Sequence, residues 1–225
     1  MKPARHIAPR GAHRQALRQL RILVLLVVLF IVAVGTWRDH ARSTQWRVPL
    51  FVALYPIAAD SSAVTQRYVA SLRGAQFADI DAFFATQAHH YGVALPVPLQ
   101  IRLKDALQVL PPARAAEDGP LKTLLWSLRL RYWAWRQTRA AREPADVRLF
   151  VLYHDPAQAA TLPHSSGLQK GMIGVVHAFA LADMQGSNNV VIAHEIMHTL
   201  GAGDKYDAMN DAPLFGTRGL FRAPA

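Results

Sequence analysis

The segment Asn189-Val-Val-Ile-Ala-His-Glu-Ile-Met-His-Thr-Leu-Gly-Ala-Gly-Asp204 sets His194 and His198 four residues apart, with Glu195 beside the first. On a helix, residues four apart share a face, so both imidazoles can reach one metal ion. Glu195 is turned about 100° round the axis from His194. It therefore stands beside such an ion rather than on it, where a carboxylate can accept a proton from bound water. The chain contains ten His, and its Glu residues are Glu117, Glu143 and Glu195 alone. At those frequencies this spacing arises by chance in roughly one chain of this length in two hundred. The competing reading is a surface helix carrying two solvated histidines.

A helix must carry this spacing, and the flanking residues supply one. Ser187, Asn188 or Asn189 can cap its start, Val190-Val-Ile-Ala193 gives an apolar lead-in, and Gly201 is placed to end it. β-Branched residues form helices poorly, so burial is expected to hold this one. Neither His nor Glu occurs after His198, which excludes a downstream Glu as third ligand on a second helix.

HEIMHTLGAGD resembles the metzincin-type signature HExxHxxGxxH with Asp in place of the last His, the variant shared by snapalysin-type secreted proteases. HTLGAGDKYD is also similar to a group of uncharacterised, membrane-anchored bacterial zincin-like proteins. The resemblance covers about the last third of the chain. It implies Zn²⁺ held by His194, His198 and Asp204, with Glu195 as general base. It also implies that the chain turns back to the metal at Gly201, where glycine can enter a left-handed turn. Tyr206 either supports the oxyanion or packs beneath the ligand loop, and Asp207 is a fallback ligand off the expected offset. Met209 lies closer to Asp204 than the family's Met-turn does, and the Pro/Gly-rich tail ending at Ala225 implies a short C-terminal subdomain.

Around this segment the composition allows one ordinary domain plus an appendage, with 52% hydrophobic residues for a core. With no cysteine, disulfides and a thiolate nucleophile are excluded. The net charge of +10 could suggest nucleic acid. However, six cations (Lys2, Arg5, Arg10, Arg14, Arg18, Arg21) precede the first apolar run, and no nucleic-acid motif occurs. An anionic membrane surface is the simpler partner. Residues 22–37 are uncharged and would span about 24 Å as a helix, near the ~30 Å hydrocarbon core once Arg21, Arg38 and Trp37 snorkel. The basic flank makes the N-terminus cytoplasmic. A cleavable signal peptide ending near Ala33-Val34-Gly35 is the alternative, and the long basic region favours an uncleaved anchor.

Residues 38–48 read as a polar linker. Strands are expected at 49–56, 96–103, 146–153 and 172–180, and helices at 61–72, 77–91 and 121–141. The last has an apolar stripe at 121, 124, 125, 128, 132 and 135 among Lys and Arg. It reads as packed against a sheet, with an interfacial helix on anionic lipid as the other reading. His89-His90 reads as a solvated helix end, because adjacent helical residues diverge by about 100°. The stretch His154–Lys170 reads as a long loop bordering the site. The resemblance makes the strand at 172–180 a sheet edge along which a peptide aligns, with His177 either facing the cleft or satisfied within the strand.

The fold expected is α/β (α+β) and zincin-like: a mixed sheet packed on the HExxH helix over residues 49–225. A basic cytoplasmic segment 1–21, a transmembrane signal-anchor 22–37 and the linker 38–48 precede it. The function expected is a single-pass, inner-membrane zinc peptidase with its catalytic domain in the periplasm, acting on a peptide or protein, with membrane lipid met through residues 22–37 and no nucleic acid. The alternatives are a non-catalytic zinc-binding module and a zinc amidase of cell-wall peptides.

Overall fold

The computed structural model describes residues 10–113, 119–141, 143–168 and 172–203. The chain divides into two units, Met1–His40 and Ala41–Ala225. In the first lies most of helix α1 (Arg10–Gln45), whose stretch Leu17–Gly35 is long and apolar enough to cross a membrane. The stretch expected as a linker holds the boundary between the two units and is helical through Gln45, and the indole of Trp46 is buried in the core of the second unit.

The second unit is built on a five-stranded sheet in the order β2-β1-β3-β5-β4. Strands β1 (Leu50–Ala58), β2 (Leu99–Leu103), β3 (Val147–His154) and β5 (Ile173–Phe179) are parallel, and β4 (Ser166–Leu168) runs antiparallel to β5. The mixed α/β sheet expected from the sequence is present. Parallel strands covered on both faces read as continuous apolar runs, as Leu-Phe-Val-Leu in β3 does. Pro56 sits inside β1 without breaking it, because its carbonyl side faces Leu107, past the point where β2 stops.

Helices α2 (Ala63–Ser71), α3 (Ala78–His90) and α5 (Gln185–Thr199) cover one face. Ser62 Oγ accepts the Thr65 N–H and so caps α2 as its position suggests. Val69, Phe77, Ile80, Phe84, Ile192 and Ile196 meet Leu54, Leu149, Val151 and Val176 there. Helix α4 (Pro120–Thr138) covers the other face, where Trp126, Leu130 and Ala134 meet Tyr55, Phe150 and Val175.

Two expectations are corrected. The stripe of α4 at 121, 124, 125, 128, 132 and 135 is not the packed one; all six side chains are exposed. The helix is apolar on two opposite sides, and the side carrying small Ala134 is the one that fits the sheet. The presumed loop 154–170 contains β4, which covers the edge of β5 at Ile173–Val175; from Val176 to Phe179 β5 has a strand partner, β3, on one side only among the described residues.

Candidate metal centre

Helix α5 runs antiparallel to β5. Near its start Asn188 lies against Phe179 at the end of β5, and near its finish Thr199 lies over Gly174 at the beginning. Two sequence features make this approach close. Gly167 of β4 and Gly174 of β5 are partners in register and present no side chain to the helix. A Cβ on Gly167 would fall 2.8 Å from His198 Cβ and 3.1 Å from the Glu195 carbonyl oxygen. The tail of the helix is thus seated on bare backbone.

The helix start differs from expectation. A short 3₁₀ turn, Ala182–Met184, leads directly into α5, so Asn188 and Asn189 are interior and buried rather than caps. Asn188 accepts the Phe179 N–H and donates to the Phe179 carbonyl, clamping the end of β5. Asn189 donates to the Gln76 carbonyl and accepts from Gln185. Side-chain amides that can serve as caps also satisfy the backbone of a neighbouring element. The apolar lead-in is only half buried: Ile192 and Ala193 face the core, whereas Val190 and Val191 are exposed.

At the other end the expected glycine turn is present. Gly201 has φ of 103°, the Ala202 N–H donates to the Met197 carbonyl, and the Gly201 N–H donates to that of His198. Those two bonds and the left-handed glycine make a Schellman ending. It returns the Ala202 carbonyl to 2.9 Å from His198 Nδ1. A carbonyl can only accept, so Nδ1 carries the proton and the Nε2 lone pair points away from the helix end.

That Nε2 lies 2.9 Å from Nε2 of His194, with the two rings nearly perpendicular. The buried Glu195 carboxylate completes a group whose ligand atoms all lie within 4.8 Å of one another. The two nitrogens lie close enough together for both to reach one ion. The group could bind a metal ion: two imidazole nitrogens converge, one with its tautomer fixed from behind. Asp204, Tyr206, Asp207 and Met209 lie outside the described residues.

His177 does not join this group. It alternates with Val176 and Ala178, which face α5, and so lies on the α4 side, where its Nδ1 is 2.9 Å from His154 Nε2. Burial, with His154 second, pushes the His177 ring down to about 4. It is a histidine satisfied within the sheet. His89, His90 and His164 are exposed. The sequence reading makes Asn188 a cap and misses the parts played by Gly167 and Gly174. Gly174, a glycine inside the expected strand 172–180, is the available signal, since such a glycine marks close backbone approach, whereas Gly167 lies in a stretch read as loop.

Comparison with known families, curated proteins and solved structures gives no match.

Proposed function

We propose that this chain is a membrane-anchored, zinc-dependent peptidase whose ligands are His194, His198 and Asp204 and whose general base is Glu195. The observation that carries the reading is the convergence of the two Nε2 atoms while the Ala202 carbonyl holds the His198 proton on Nδ1. Imidazole donors on adjacent helical turns suit zinc, which when bound would supply a Lewis acid and a water of lowered pKa. Glu195 follows the first ligand and is buried beside the pair, where a carboxylate can take a proton and return it to the leaving amine. Tyr206 would stand near enough in sequence to Asp204 to support the oxyanion. The apolar stretch Leu17–Gly35 supports the anchor, with the N-terminus cytoplasmic and the α/β unit exported.

The test is Glu195→Gln. The variant should keep its zinc and lose roughly 10²–10⁴-fold in peptide hydrolysis. Zinc bound in both proteins with hydrolysis in neither would make the chain a non-catalytic binding module, for which no base is required. Hydrolysis confined to cell-wall amides would move the substrate class and leave the residue roles unchanged.

A further inference from the structure

Helix α4 carries two apolar faces, and only one has a partner within the described residues. At about 100° per residue, Trp126, Leu130 and Ala134 project towards the sheet, while Leu121, Leu124, Leu125, Leu128, Tyr132 and Trp135 fall in an opposite arc of about 100°. Those six side chains are between 48% and 67% exposed. A contiguous leucine stripe ending in Tyr and Trp is a surface that water does not favour.

The charges beside the stripe indicate what covers it. Lys122, Arg129 and Arg136 are exposed along one margin of the arc, and Arg131 lies at the other. Arg139 follows at the helix end, its guanidinium 5.7 Å from the centre of the Trp135 ring. The helix contains no acidic residue. The nearest acids preceding it in the chain, Glu117 and Asp118, lie outside the described residues. Apolar residues flanked by cations, with Tyr and Trp between, match the boundary between acyl chains and anionic headgroups. A second copy fits less well: a symmetric contact through this face would set one basic margin against another with no acid on either helix.

We infer that α4 lies on an anionic membrane surface, with its leucine stripe in the acyl boundary and its cations at the headgroups. This rests on the reading of Leu17–Gly35 as a span, which keeps the α/β unit beside a bilayer, since few residues separate Gly35 from Trp46 in the chain. Docking through α4 leaves the opposite sheet face, with α5 and its histidines, uncovered by lipid.

The absence of native cysteine allows single-site labelling of the full chain. A polarity-sensitive probe at Leu26→Cys reports the span, one at Leu128→Cys reports the α4 stripe, and one at exposed Ala82→Cys on α3 is the control. The chain is reconstituted in phosphatidylglycerol/phosphatidylethanolamine vesicles and in phosphatidylcholine vesicles. The inference expects a blue-shifted Leu128→Cys probe, quenched by brominated lipid, in the anionic vesicles, with the Ala82→Cys probe in water. Arg129→Gln with Arg136→Gln should lower the docked-to-undocked ratio roughly 25-fold, taking about fivefold per cation. A buried span probe with a water-exposed Leu128→Cys probe overturns the inference and leaves the anchor. A water-exposed span probe overturns the anchor reading on which the inference rests. Burial of Leu128→Cys that follows protein concentration (a second copy), or that brominated lipid does not quench (another part of this chain), also overturns it.

Discussion

Gly201 performs two tasks with one backbone conformation. Its φ of 103° ends α5, and the same turn carries the Ala202 carbonyl back to His198 Nδ1. Gly201→Ala places a Cβ in the left-handed region at a cost of about 1–2 kcal/mol. If the turn relaxes, His198 loses the acceptor that fixes its tautomer. A chelator-competition titration should then give roughly tenfold weaker metal binding together with a lower melting temperature. Unchanged affinity would mean the carbonyl does not orient the ring. His194 and His198 were legible in the sequence because a four-residue spacing is a geometric statement about any helix. Ala202 was not, because it acts through a backbone carbonyl, which every residue possesses.

The arrangement of β4, β5 and α5 depends on what Gly167 and Gly174 lack. Gly167→Ala would press a methyl against His198 Cβ and the backbone at Glu195 and Thr199, none of which is a flexible side-chain end. We expect a loss of about 1–3 kcal/mol, read as a fall in melting temperature of roughly 3–10 °C, with reduced metal retention. A variant that melts and binds as the parent does would show that β4 moves away freely. Strand β4 itself was hidden in the sequence: it has three residues, two of them Ser and Gly, and only pairing with β5 makes it a strand. The reverse error occurred in α4, where the strongest helical period belonged to the exposed side. Periodicity reports an apolar face and is silent on whether protein or another medium covers it. The interior Asn188 shows the same limit, since its polarity suggests a cap whereas its partner, Phe179, is supplied by the fold.

Across the molecule, the sheet separates two histidine pairs: His194 and His198 on one face, His154 and His177 on the other. The second pair makes stability depend on pH. Burial depresses both rings, His177 to about 4. Above the ordinary imidazole value of about 6.5 both are neutral in folded and unfolded chains. Between there and about 4 the unfolded chain binds protons that the folded one does not, so stability falls as pH falls. Melting temperatures across that window should decline less steeply for His177→Gln than for the parent, and parallel curves would refute the assignment. The class of fold was legible because long apolar strands alternate with amphipathic helices, whereas the sheet order had to come from packing. A metal centre at the α5 pair is what the proposed function depends on, and the direct test is the metal content of the purified chain by mass spectrometry, beside its His198→Ala variant. It predicts about one zinc per chain in the parent and little in the variant. A metal-free parent, or a variant that holds as much zinc, would contradict it.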